Sequence, residues 1–353
     1  VGQESRSIGQ VSTTGGPNMP LADHEPDPAA DELRTITRRL ERQLAASKAK
    51  TAEFIEAVYQ AARDAAIVQG AAKPVPVKKD RRRPAGEIAL VHATDWQCGK
   101  HTETFNGDVL RSRIERFVQK VVKLTELQRT AHPVRECVLM LGGDMVEGLS
   151  IFPGQAYEVD STLFEQLFAC ANLIEAMTLT LAENFERVSV FCEYGNHGRI
   201  GRRGDLPAGD NIDRMCYRIV QERVARVGNV TWTPPQSWYS IVTAGNYRAL
   251  LVHGDEIKSF GGNVPAFGIL RKCNAWAAGA IHDQFTDAYL GHFHTPMTLT
   301  MANGHRAFVT GSPESGNTYA QEFVAATGIP SQRLHFVDPE AGRITSEHTI
   351  WLD

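Results

Sequence analysis

From residue 87 onward the chain alternates between short apolar runs and amphipathic stretches of helical period. Nothing else in the sequence constrains the fold as much. The apolar runs read EIALVHA, ECVLML, VSVFCEY, ALLVHG and DAYLGH. Helical patterns separate the earlier ones, roughly Asp108 to Arg129, Ser161 to Asn184 and Asn211 to Val227. Alternation of this kind predicts a layered α/β domain with parallel strands at its centre. Farther on, from VTWTPP through HRAFVTG to ITSEHTIWL, strands follow one another across short turns, which predicts a second sheet packed on the first.

The strand ends carry the chemistry. Five of them deliver Asp, Asn or His into a glycine-bearing loop: TDWQ (Asp95, Gln97), GGDMVEG (Asp144, Glu147), YGNHG (Asn196, His197), VHGDE (His253) and GHFHT (His292, His294). Open α/β sheets bind ligands beyond the carboxyl ends of their strands, so such loops can converge in space. Each motif is weak alone, because a single Asp after a strand is usually a cap or turn residue. GHFH is stronger, placing two imidazoles on one side of an extended segment. The whole set suits a two-metal centre, which needs a bridging carboxylate, terminal N and O ligands and an open face. Carboxylate and amide oxygens with imidazole favour Mn²⁺, Fe or Zn²⁺ over Ca²⁺, and the lack of cysteine ligands argues against a structural zinc cage.

In that order, these motifs resemble the calcineurin-like metallophosphoesterase superfamily, over about residues 87 to 315. The SbcD-type nuclease branch is similar, and LMLGGDMVEG, GNHGRIG and SQRLHF look like metallophosphoesterases encoded by bacteriophages of actinobacteria. The resemblance implies a four-layered α/β/β/α sandwich. It implies that Asp144 bridges two divalent ions and that Asp95 and His294 complete the first site, with Gln97 standing where the family has histidine. Asn196, His253 and His292 would hold the second ion. His197 would be the general acid, or a cation stabilising the phosphorane-like transition state. Two departures qualify this. The usual acidic residue after GNH is Gly198, which leaves Glu193 or Asp205 as candidates to orient His197. Gln97 offers a neutral amide, a weaker donor than imidazole, which softens one site and shifts it toward Mn²⁺ or Mg²⁺, or else holds a metal-bound water. Mn²⁺ is the expected ion.

The remaining chain divides by composition. Residues 1–25, rich in Gly, Ser, Thr and Pro, are expected to be disordered. Residues 26–70 read as a long helix ahead of the sandwich, ~60 Å at 1.5 Å per residue, suited to a coiled coil, a homodimer or a protein partner. AAKPVPVKKDRRRPAG (residues 71–86) is a basic, proline-punctuated linker, and 87–353 is the catalytic-type domain. Net charge is −4, so any polyanion site must be a local patch. No apolar run approaches a membrane span, and VGQESRSIGQ lacks a signal-peptide core. Six scattered cysteines without a CxxC pair fit buried thiols in a reducing cytoplasm, the host's if the chain is phage-encoded.

GRIGRRGD places Arg199, Arg202 and Arg203 beside the expected metals, where arginine can grip phosphate. Lys258, Phe260, Arg271 and Trp276 add cations and aromatics that suit stacked bases or a core. The leading expectation is a DNA nuclease of phage or bacterial DNA processing. The alternatives are hydrolysis of small phosphodiesters or monoesters, and a non-catalytic metal-binding protein that acts through its helix.

Overall fold

The computed structural model describes residues 86–353, apart from 150, 153, 202, 205, 259–264 and 317–327, together with scattered positions between 35 and 82. The stretch 1–25 and most of the linker 71–86 lie outside the described residues. The described positions from 35 to 64 are helical and exposed.

Two sheets form the body. In the first, β1 (Glu87–Ala93), β2 (Val134–Leu141), β3 (Arg187–Cys192) and β4 (Val230–Thr233) run parallel in that order. Parallel neighbours need long crossovers. These are made by α1 (Gly107–Arg129), α2 (Leu163–Asn184) and α3 (Ile212–Val224). α2 and α3 begin one or two residues later than the periodicity suggested because Thr162 and Asn211 are caps. Thr162 forms a reciprocal capping box with Glu165, and the Asn211 side chain accepts from the Asp213 amide.

The second sheet holds β5 (Tyr239–Ala244), β6 (Tyr247–Val252), β7 (Asp287–Leu290), β8 (Met297–Thr300) and β9 (Arg306–Val309), ordered 5-6-7-9-8. A helix that the periodicity did not disclose, α4 (Ala266–Ala275), covers its outer face through Ile269 and Cys273. Between the sheets, Leu90 and Met140 meet Tyr247, Leu251, Tyr289 and Phe308. Burying such side chains contributes ~1.5–3 kcal/mol each. Helices outside each sheet complete the α/β/β/α layering.

One expectation needs correction. The last strands do not extend the second sheet. β10 (Ser331–Asp338) pairs antiparallel with β1, β11 (Arg343–Trp351) pairs with β10, and β4 closes the far edge of the first sheet. The reason is burial: β1 is covered on both faces and cannot be left as an unpaired edge. The continuous buried run SQRLHFV fills that place, and β11, alternating in exposure, takes the edge. Trp276 is also core, 5% exposed and packed on Trp238, while Arg271 is exposed. Phe260 lies outside the described residues.

Candidate metal centre

The carboxyl ends of β1, β2 and β3 meet those of β6 and β7, and backbone bonds fix the meeting. Asp95 N donates to Gly143 O at 2.9 Å, Gln97 N to Asp144 O at 3.1 Å, and Gly291 N to His253 O at 2.9 Å. Among the described residues, the non-glycine residues with positive φ are Asp95, Gln97, Asp144, His292 and His294, at 48° to 65°. All of them are expected ligands. Each such conformation costs on the order of 1 kcal/mol or more and persists only where surroundings over-determine it. Gly195 stands beside Asp144 for a steric reason, since a Cβ there would come within 2.1 Å of Asp144 Oδ1.

Asp144 is 1% exposed and central. Its Oδ2 lies 3.0 Å from His253 Nε2 and 4.0 Å from His197 Nε2, and its Oδ1 accepts from the His197 amide at 2.7 Å. Asp144, His253 and His292 present ligand atoms all within 4.8 Å of one another. The His253 and His292 rings sit 5.2 Å apart. His253 Nδ1 donates to the Gly142 carbonyl at 2.9 Å, which aims Nε2 at Asp144, and although burial opposes its charge, Asp144 raises this imidazole well above its ordinary range.

The other half of the cluster is built the same way. His294 Nδ1 donates to Glu314 Oε2 at 2.9 Å, leaving Nε2 at 3.3 Å from Asp95 Oδ1 and 3.4 Å from the Gln97 amide nitrogen. Asp95 also accepts the His292 amide on both oxygens, at 2.9 and 3.0 Å. Asp95, Gln97, Asp144, His253, His292 and His294 thus come together here, and Asn196 lies next in the chain to His197, whose amide binds Asp144. Glu314, in the segment GSPES, is a partner that the strand-end motifs did not disclose.

Buried polar atoms test whether cations fit. Gln97 Oε1 and Asn196 Oδ1 are buried without a hydrogen-bond partner, and buried His253 Nε2 is paired with Asp144 Oδ2 at 3.0 Å. Unpartnered buried atoms are costly unless something satisfies them. These three belong to the expected ligand set, and their O and N chemistry fits hard or borderline divalent ions. Electrostatics agree. Burial would raise Asp144, yet His253 and His197 hold its carboxyl well below the usual range. Burial opposes a proton on His294, but Asp95 and Glu314 lift it to about 10. Burial and the neighbouring His253 push His292 down to about 4. Protons thus balance an excess of carboxylate charge, a role that cations take when the imidazoles bind as neutral ligands.

His197 lies beside this cluster with its Nδ1 donating to the Glu147 carbonyl at 2.9 Å and 3.3 Å from Glu147 Oε2. Burial lowers its basicity, but Asp144 and Glu147 outweigh that and raise it to about 9. The orienting carboxylate therefore comes from GGDMVEG. It is not Glu193, whose Oε2 accepts from Ser240 at 3.1 Å; Asp205 lies outside the described residues. Glu147 is 1% exposed and braced by Lys100 Nζ at 3.3 Å and Gln155 Nε2 at 3.0 Å. Gly198 cannot carry an acid, because its Cβ would fall 2.3 Å from Asn211 Oδ1. A further unforeseen residue is Asp213, fully buried, which accepts the amides of Asp144, Met145 and Gly195 at 2.9 to 3.1 Å and so locks two ligand loops together. Its only sequence signal was a position in the first turn of a helix.

Arg199 is half-buried, its Nε donating to the Asn196 carbonyl at 3.1 Å. Arg203 is exposed, 3.9 Å from Asp255, and Arg202 lies outside the described residues. Cys98, next to Gln97, is a buried thiol pushed up to about 12 by desolvation, so it stays a neutral neighbour. No described helix is long and apolar enough to cross a membrane.

No protein-family model matches the chain, and no curated protein matches it. Among solved structures it is similar to Vps29 complexed with Zn²⁺ from Entamoeba histolytica, with 11% identity over 75% of this chain and 99% of that one, at a TM-score of 0.33. It is similar to a 5'-nucleotidase from Candida albicans, with 11% identity over 80% and 54% of the two chains and a TM-score of 0.31. A metallophosphoesterase from Sphaerobacter thermophilus shows 14% identity over 75% and 89%, with a TM-score of 0.27. At such values the functional reading rests on the side chains of the cluster.

Proposed function

We propose that this protein is a dinuclear-metal phosphoesterase that hydrolyses phosphodiester bonds, with DNA as the leading substrate class. The observation that carries this reading is the convergence of Asp144, His253 and His292, with ligand atoms within 4.8 Å of one another, beside buried, unpartnered oxygens on Gln97 and Asn196. Asp95, Gln97, Asp144 and His294 would hold one divalent ion, and Asp144, Asn196, His253 and His292 the other, with Mn²⁺ favoured by the amide oxygens. Bound ions of this kind supply a water acidified to near neutrality and neutralise phosphate oxygens.

The chain's own groups do the rest. Asp144 stays deprotonated because cationic neighbours oppose its burial. His197 Nδ1 is tied to Glu147, so Nε2 is the atom that keeps a proton for the leaving oxygen. Arg199, tethered to Asn196, supports contact with a phosphate. A second reading, hydrolysis of small nucleotide esters, is favoured by a cavity of about 470 Å³ beside Asn196. A panel of single- and double-stranded DNA, cyclic nucleotides and an aryl phosphodiester, each with Mn²⁺, tests both readings. DNA turnover abolished by EDTA supports the first, turnover of the cyclic nucleotides alone supports the second, and inactivity on every ester overturns the phosphoesterase assignment.

A further inference from the structure

The cavity beside Asn196 has a composition that a phosphate backbone would not select. Tyr194 and Trp238 offer aromatic surface, and Ile200, Leu206 and Pro207 supply an apolar wall. Three carboxylates, Asp210, Asp255 and Glu256, face it against two described arginines, Arg199 and Arg203. A strand of phosphates running through the cavity would meet more acid than base. A flat, uncharged group with hydrogen-bond donors would meet rings, apolar contacts and acceptors. Its volume of about 470 Å³ falls within the range of small-ligand pockets. One end of the cavity is the expected ligand Asn196, so a group seated there stays attached to a phosphate at the centre.

We infer that this cavity is a nucleobase subsite: it takes the base of the nucleotide whose phosphate lies at the Asp144 cluster and prefers bases with an exocyclic amino group. The inference rests on the phosphoesterase reading for the identity of the attached phosphate. Trp238 and Tyr194 provide the stacking surface, which is tolerant of sequence. The carboxylates provide selectivity, because carboxylate accepts from the amino groups of cytosine or adenine and finds no such donor on thymine. Trp238 is held in place by Trp276 at 5.5 Å, and Arg214 lies 5.9 Å from the Tyr194 ring centroid. Both aromatic walls are therefore braced before a ligand arrives.

Equilibrium binding of AMP, CMP, TMP and ribose 5-phosphate to the full chain with Mn²⁺ tests this. The readout is tryptophan fluorescence or calorimetry, and aryl phosphodiester turnover is measured on the same preparation. AMP and CMP are expected to bind roughly tenfold more tightly than ribose 5-phosphate, with TMP between them, on the scale of one stacked ring and one specific contact. Trp238→Ala should collapse that difference. Ala208→Trp, at an exposed position on the cavity wall, serves if removal of Trp238 disturbs the fold. It should weaken AMP while leaving inorganic phosphate affinity within about twofold, since it blocks only the cavity. Equal binding of AMP and ribose 5-phosphate by the wild type overturns the subsite even if the diester is hydrolysed. Selective AMP binding without hydrolysis of any ester sustains the subsite and removes the catalytic reading instead.

Discussion

Replacing Glu147 by glutamine should shift the pH range in which His197 works. The imidazole is raised to about 9 although burial opposes its charge, because Asp144 and Glu147 favour the protonated form. At 3.3 Å between His197 Nδ1 and Glu147 Oε2, two unit charges attract by ~5 kcal/mol at an effective dielectric of about 20. Lys100 Nζ, 3.3 Å from the other Glu147 oxygen, cancels part of that field. What remains is ~1.5–3 kcal/mol, the range of a hydrogen bond to a charged group, equivalent to ~1–2 pH units. The sign follows from which form the carboxylate stabilises. His197 donates only when protonated, so activity falls as pH rises through its pKa, and loss of the anion moves that fall to lower pH. On the proposed reading, cations held by Asp144 would remove its share and leave Glu147 as the main support of the charge on His197. The assay is kcat/KM against pH for a diester with an alkyl leaving group, with metal content verified. Glu147→Gln should move the basic limb down by ~1–2 units while losing little activity at its new optimum. An aryl ester, whose leaving group departs without a proton, should show no such shift. A basic limb that stays in place with fold and metal content intact would refute the assignment of Glu147.

Four further outcomes follow from the same geometry. Metal titration should find two equivalents in the wild type and at most one weak equivalent in Asp144→Ala, read by calorimetry and elemental analysis. Gln97→Leu keeps the volume but removes the unpartnered oxygen, and should weaken one equivalent by on the order of tenfold, whereas Gln97→His should tighten it. Restoring an acid after GNH should fail: Gly198→Asp forces a Cβ against Asn211 and should lower stability by ~1–3 kcal/mol in urea unfolding, without a gain in turnover. His197→Ala should retain both metal equivalents yet lose turnover of an alkyl diester by ~10²–10⁴-fold.

The alternating pattern made the parallel core legible, because β1 and β2 are largely buried runs, β3 alternates in burial, and capped helices separate them. It could not show that β10 returns to β1, since that pairing is antiparallel, spans more than two hundred residues and depends on which strand would otherwise be left unpaired. The residues of the cluster were legible because strand ends and glycines announce them. Their partners were not. Glu147, Asp213 and Glu314 act across loops that are distant in sequence, and a carboxylate in a turn or a helix start looks the same whether it braces a ligand or faces water. Gln97, singled out by its place in the motif, has an Oε1 that is buried without a hydrogen-bond partner.

The positive φ of five expected ligands has a consequence for how this chain can change over time. L-residues rest poorly in that region, and glycine or asparagine would relax it. On the metal-binding reading proposed above, need for the ions would hold Asp, Gln and His there against a standing preference of the backbone. In a lineage that ceased to need the ions, Asp95, Gln97, Asp144, His292 and His294 should drift first, and toward Gly or Asn. A homologue with the same sandwich and glycines at those places would be a record of abandoned chemistry, more stable than its active ancestor.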